Sequence, residues 1–264
     1  MYQASAATFI NGFGLFIRFL TVIIFQRFFS DEDFSIIMYV IQAINLSTYF
    51  GSLEIHTFLS RLYAGDDYSP RTKKILKIGH ERSLISRAFL TGFFYLILLS
   101  LIGIDKFNSW IILVGFFAAI LDLPLLEQTR VWVIEKKVLL GVFVTISRYA
   151  AWSIIALLFL LLNESFHTIN NIITLIFCCT ALHYILIFNS NWTFSFRGIF
   201  DSPLVFPYKI FRKSIIYFWI ASISNLFPYI ERIVFLRLEN YQLSAAFTYH
   251  LSFASITAVF LSTF

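Results

Sequence analysis

Three arginines, Arg18, Arg148 and Arg232, lie inside long apolar runs. A charge at bilayer depth costs ~2.5–3.5 kcal/mol on insertion scales, so it marks either a function or a buried partner. Arginine stays charged, and its planar fork grips phosphate or carboxylate through paired hydrogen bonds. Arg18 falls at the centre of its run, Arg148 toward the cytoplasmic half and Arg232 toward the outer third. Staggered in this way, the three could pass an anionic headgroup across a membrane. In the competing reading each pairs with a local acid, such as Asp122, Glu54 or Glu231, and simply holds the fold. Arg232 is the most open to that reading, because Glu231 adjoins it and its side chain can snorkel outward. Arg18 has no acid on its own helix. Asn11, Gln42, Asn45 and Asn225 complete the candidate lining of an anion path.

Other chemistry finds little support. His183 follows Cys179 at helical spacing, but no third ligand accompanies them, so no metal site is expected. The adjacent Cys178 and Cys179 do not read as a disulfide framework. His250 is a candidate for lining the interior or titrating. There is no phosphate-binding loop, no H-E-x-x-H and no nucleophile elbow. The chain therefore reads as a non-enzyme with no cofactor and no nucleic-acid partner.

The elements that must position the arginines are helices. The chain is 59% hydrophobic and 13% charged, against roughly 25% charged in soluble domains. Its mean hydropathy is +0.79. Eight apolar segments recur, at about 6–29, 34–60, 84–104, 108–126, 138–162, 170–189, 213–238 and 243–264. This is the pattern of an all-α polytopic membrane protein of about eight transmembrane helices. No cleavable signal peptide precedes them, so the first helix is expected to direct insertion.

Connections alternate in charge. The even ones carry Arg61, Arg71, Lys73, Lys74, Lys77, Arg82 and Arg87, then Arg130, Lys136 and Lys137, then Arg197, Lys209, Arg212 and Lys213. The odd ones carry only Arg27, Lys106 and Arg237, beside Asp31, Glu32, Asp33, Asp105, Glu164 and Glu239. The positive-inside rule then places the N-terminus and the even connections in the cytoplasm. The basic loops are also suited to anionic membrane lipids. The long sixth connection, with Pro203 and Pro207, divides the chain into residues 1–212 (six helices and a linker) and 213–264 (two helices).

Polar residues at helical spacing show which helices face an interior. Helix 1 aligns Asn11, Gly14, Arg18 and Thr21; helix 2 aligns Gln42, Asn45, Tyr49, Ser52 and His56. Helix 5 aligns Gly141, Thr145, Arg148 and Trp152. Helix 7 aligns Ser222, Asn225, Tyr229 and Arg232, and helix 8 aligns Ser244, Thr248, Ser252 and Ser255. Seams of small residues alone can be glue between helices, worth ~0.6 kcal/mol per bond; seams with arginine point to a hydrated cavity. Helices 3 and 4 read as lipid-facing or packed. Pro124 is expected to kink or end helix 4, Glu127 and Arg130 to pair at i, i+3, and Glu54 to form a structural ion pair with Arg61 or a neighbouring helix. A shift of 210 residues aligns Ile23, Phe25, Arg27, Tyr39, Phe50 and Ser52 with Ile233, Phe235, Arg237, Tyr249, Phe260 and Ser262, a faint parallel repeat.

Several stretches carry a resemblance: Asn11 to Arg18, Phe50-Gly51 to Leu59-Ser60-Arg61, Asp122-Leu123-Pro124 to Arg130, and Tyr229 to Tyr249. On these the chain resembles the lipid-linked oligosaccharide flippases of the O-antigen type, in the multidrug/oligosaccharidyl-lipid/polysaccharide exporter superfamily. The resemblance is diffuse and spans the whole chain. It implies two six-helix bundles about a pseudo-twofold, with a central cavity lined by helices 1, 2, 7 and 8. It also implies an undecaprenyl-pyrophosphate-linked oligosaccharide as cargo, moved by alternating access across the bacterial cytoplasmic membrane. Polysaccharide polymerases and glycosyltransferases are the partners compatible with it. Eight helices against the family's twelve or more lead to the expectation of a chain that lacks most of its second bundle. The competing classes are a multidrug antiporter, which should present acids to its cavity, and a membrane-embedded polymerase or acyltransferase, which should carry a large external loop or a His/Asp cluster. A structural membrane subunit is the third.

Overall fold

The computed structural model describes residues 2–55, 83–134, 137–162, 166–189 and 208–263. Among these residues there is no strand, and eight long α-helices follow in order. They are α1 (Tyr2–Phe28), α2 (Asp31–Ser52), α3 (Leu84–Ile102), α4 (Ser109–Ile134), α5 (Val138–Leu162), α6 (Ile169–Asn189), α7 (Tyr208–Arg237) and α8 (Tyr241–Thr263), with one 3₁₀ turn at Ile104–Lys106. Five of them, α2 to α6, contain stretches long and apolar enough, by length and composition, to cross a membrane.

The helices that begin at the acidic turns are capped by side chains, which relieves their orphan N–H groups. Ser30 Oγ accepts from the Asp33 amide at 3.1 Å, and Asp31, Glu32 and Asp33 put negative charge on the positive end of α2. Asn108 Oδ1 accepts from Ile111 at 2.8 Å at the start of α4. Thr168 does the same for Asn171 of α6, and Asn240 for Leu243 of α8. Such caps let the chain reverse within a few residues. Arg27 and Arg237 occupy the last turns of α1 and α7, equivalent places in the two hairpins α1–α2 and α7–α8.

Helix α2 is the hub. It packs against α3, α4, α6, α7 and α8, and 72% of its apolar span is buried, against 22% for α6. Helix α1 lies chiefly against α5 and α8. Phe25, Phe34, Ile37, Tyr39, Leu99 and Ile172 are fully enclosed in the main apolar core. The outer rim is apolar too: Phe89, Phe93, Ile97 and Leu101 recur along one exposed face of α3, the stripe a helix shows to a non-aqueous neighbour. Helices α2 and α3 approach closely at Gly51, where an added Cβ would run into the Thr91 hydroxyl.

Four expectations are corrected. Helix α2 ends at Ser52 rather than near residue 60, because Leu53 and Glu54 both take left-handed backbone, with φ of 53° and 50°. His56 lies outside the described residues. Of the two outcomes expected at Pro124, an end is excluded, since α4 continues to Ile134; a proline deletes one backbone donor and strains its own turn, yet packing on both sides can carry the helix through. Arg87 is not a loop charge but a buried residue of α3. Helices α3 and α4 are therefore not purely apolar: Arg87 and Glu127, both 0% exposed, meet at 3.5 Å. Arg87 also donates to Ser83 Oγ at 3.2 Å and to the Ser52 carbonyl at 3.0 Å. Arg130 Nη1 binds Glu127 at 3.2 Å, the expected i, i+3 pair, and its Nη2 reaches Glu54 at 4.0 Å. Glu54 thus finds its structural partner on the neighbouring helix.

This cluster ties α2, α3 and α4 together. Removing one partner leaves the other charged and buried, so Glu127→Gln is expected to destabilise the protein by ~3–5 kcal/mol. The apolar double change Arg87→Met/Glu127→Met should recover most of that loss. Thermal unfolding in detergent measures both.

At the opposite end Lys106 Nζ binds Glu239 Oε1 at 2.9 Å. Its hydrogen bond to that carboxylate raises the ammonium pKa above the ordinary lysine value of 10.5. The pair's contribution is therefore complete below that value and is lost as pH rises through the raised one. Stability lost with Lys106→Ala should be the same at pH 6 and pH 9 and shrink only in stronger alkali, as read by unfolding at each pH.

Candidate functional site

The apolar helices make their polar exceptions informative, and these exceptions converge. A cavity of about 170 Å³ is lined by residues of five helices. Helix α1 supplies Arg18 and Thr21, α2 supplies Met38 and Gln42, α5 supplies Trp152 and Ser153, α7 supplies Arg232, and α8 supplies Ser252. The face aligned on α1 is the one turned inward: Thr21 is 2% exposed and Gly14 packs on Ile146 of α5, while Phe16 points out. Helix α5 joins the four helices α1, α2, α7 and α8 around the cavity, in keeping with its own polar seam.

Arg232 is 1% exposed. It neither snorkels outward nor, among the described residues, pairs with a carboxylate; Glu231, next in sequence, points elsewhere because neighbours on a helix diverge. Its Nη1 donates to the Met38 carbonyl at 3.4 Å, and its Nε is buried without a hydrogen bond. Arg18 stands close enough for its charge to act on Arg232, and is itself exposed at the flank of the bundle. The buried carbonyl oxygen of Gln42 also lacks a partner. No carboxylate lines this cavity among the described residues.

Arg18, Ile41 and Trp152 are shared with a second, smaller chamber of about 30 Å³, whose other lining includes Asn45, Asp122, Arg148 and Thr180. Here the cation is compensated. Arg148 Nη2 donates to Asp122 Oδ2 at 2.7 Å and its Nε lies 2.5 Å from Oδ1. Both side chains are buried, so the pair is a structural clamp between α4 and α5. Of the acids weighed for the three arginines, Asp122 is the one that serves, and it serves Arg148.

The structure thus brings Arg18, Arg232 and Gln42 around one cavity and Arg18, Asn45 and Arg148 around the next. The side chains of Asn11 and Asn225 lie outside the described residues. His183 bonds Ser147 Oγ at 2.8 Å, and no group of three metal-binding side chains occurs among the described residues. His250 is exposed against the Tyr249 ring. The lining residues that no seam had named are Met38 and Ser153, while Thr21 was on the seam of helix 1. Trp152 stood on the named seam; Met38 contributes through its carbonyl, which no sequence pattern marks.

Comparison with protein-family models, with curated proteins and with solved structures returned no match.

Because Asp122 neutralises Arg148 in a buried setting, Asp122→Asn is expected to cost ~3–5 kcal/mol. Adding Arg148→Met should restore stability, whereas adding Arg18→Met should not, which would separate the clamp from the cavity cations. Denaturation midpoints of the three variants decide this.

Proposed function

We propose that the chain is a membrane transporter that moves a lipid-linked anion, a polyisoprenyl-pyrophosphate-linked oligosaccharide of the undecaprenyl type, from one leaflet to the other by alternating access. The observation that carries this reading is the pair Arg18 and Arg232 facing one cavity that no described carboxylate lines. Arg232 is buried with one neutral acceptor, and Arg18 stands near enough to repel it, so an anion at this cavity is the economical neutraliser of the buried charge. A pyrophosphate carries both the charge and the oxygen geometry to meet two guanidinium forks. The flank at which Arg18 is exposed lets the attached lipid stay outside the bundle while its headgroup sits within.

In this reading all eight helices span a bacterial cytoplasmic membrane, with the N-terminus and the basic connections in the cytoplasm. Helices α1 to α6 belong to one bundle and the α7–α8 hairpin to a second. The sugar-transferring and sugar-polymerising enzymes that make and use the cargo are its natural neighbours. An exporter of cationic drugs fits the cavity less well, because it needs an available carboxylate, and Asp122 is occupied by Arg148.

In cells deprived of their own O-antigen flippase but expressing this protein, Arg18→Ala and Arg232→Ala are expected to abolish surface polysaccharide. Lipid-linked oligosaccharide should then accumulate in the cytoplasmic leaflet. Lysine at either position should retain part of the activity, since charge survives without the fork. Undiminished polysaccharide with both alanines, at equal protein level, would refute the anion path.

A further inference from the structure

A second polar assembly lies one turn beyond the cavity, at the end of the bundle where the acidic turns gather. A space of about 290 Å³ there is lined by Glu32, Ile36, Asp105, Lys106, Leu236 and Glu239, among others. Lys106, on the 3₁₀ turn between α3 and α4, reaches across it. Its Nζ donates to Glu239 Oε1 at 2.9 Å and to the Leu236 carbonyl at 3.3 Å. From the other side Arg237 Nε donates to the Leu101 carbonyl at 2.6 Å, and Ser35 Oγ donates to the Tyr241 carbonyl at 3.3 Å. The α7–α8 turn is thus held to the rest of the bundle by four polar contacts made from three different elements.

A cluster of aromatic rings borders the vestibule, which Phe107 lines. Ile36 and Leu236 face the vestibule, while Met38 and Arg232, less than two turns along the same helices, face the cavity. Buried Tyr39 stacks on Phe107 with ring centroids 6.1 Å apart and meets Tyr229 at 5.2 Å. Along the same helices, the seam between α2 and the α7–α8 hairpin is poorly satisfied. Tyr229 Oη lies beside the Tyr39 hydroxyl and Tyr49 Oη beside Ser222, yet neither approach closes a hydrogen bond. Ser244 Oγ, Arg232 Nε and Gln42 Oε1 are buried along the same seam without a bond. Buried polar groups without partners disfavour a closed interface, and water or a ligand would satisfy them once it parts.

We propose that the Lys106–Glu239 and Arg237–Leu101 contacts form a releasable latch that holds the α7–α8 turn to α3 and the 3₁₀ turn and keeps the seam between α2 and the α7–α8 hairpin closed. The latch works against the seam: bonds at the turns hold together helices whose buried polar groups gain by separating. Lys106 is partly exposed and Glu239 largely so, so exchange with water makes the contact easy to break. This inference concerns motion and stands whether or not the cargo is a lipid-linked sugar.

Distances between paired spin labels in lipid nanodiscs test it, on the full chain with Cys178→Ser and Cys179→Ser. One pair, Ile104→Cys/Leu238→Cys, spans the latch at exposed sites; the other, Phe89→Cys/Trp219→Cys, reports the far end of α3 and α7. With the latch intact the first pair should give one narrow distance. Lys106→Ala with Arg237→Ala should add a longer population comprising at least a third of the molecules. The exchanged pair Lys106→Glu/Glu239→Lys should remove most of it, which a merely unfolded hairpin would not do. An unchanged narrow distance in the Lys106→Ala/Arg237→Ala variant overturns the proposal. So does broadening of both label pairs together, with no recovery in the exchanged pair.

Discussion

An arginine that is 1% exposed in an apolar bundle, held by one backbone carbonyl, is the constraint around which this structure is organised. Burying a guanidinium forfeits its hydration, and a single neutral acceptor returns little of that. Such a residue persists when something else completes its shell. Around Arg232 the protein supplies a second cation, Arg18, an amide, Gln42, and a cavity. In the proposed reading an anion from outside the protein completes that shell, in the cavity between helices α1, α2, α5, α7 and α8.

The contrast with the other buried arginines sharpens the point. Arg87 has Glu127, a serine hydroxyl and a carbonyl. Arg148 has both oxygens of Asp122. Both face a carboxylate, and both fasten helices of the α2–α6 region. The cavity cations stand at the boundary between that region and the α7–α8 hairpin, where Tyr229, Ser222 and Ser244 are also buried without closed bonds. Carboxylate-paired arginines tie α2 to α5 together, whereas around the cavity polar groups of α2, α7 and α8 are left for water, a ligand or a new arrangement to satisfy.

Much of this was legible in the sequence. A helical run of twenty apolar residues is a strong signal, and the eight helices match the eight segments at most ends. The inward faces of α1, α2, α5, α7 and α8 followed from polar spacing alone, because a side chain at i, i+3 or i+7 must share a face with its neighbours. What the spacing could not supply was pairing. Asp122 and Arg148 lie 26 residues apart, and Arg87 and Glu127 lie on helices that look apolar through their middles, so only the packing of the helices shows which charges cancel. Arg232 was misjudged for the same reason. Adjacency to Glu231 suggested a partner, but helix geometry turns the two apart. The early end of α2 was hidden as well, since Leu53 and Glu54 carry no glycine or proline signal for their left-handed backbone.

The central claim is that the Arg18–Arg232 cavity is completed by an oxyanion. Binding of an undecaprenyl pyrophosphate to the purified protein in nanodiscs, measured against the uncharged polyisoprenol of the same length, tests it most directly. The account predicts preference for the pyrophosphate by at least tenfold, weakening with added salt, and lost in Arg232→Ala while Asp105→Asn, outside the cavity, binds as the unaltered protein does. Equal binding of the two lipids, or undiminished pyrophosphate binding in a folded Arg18→Ala/Arg232→Ala protein, would contradict it.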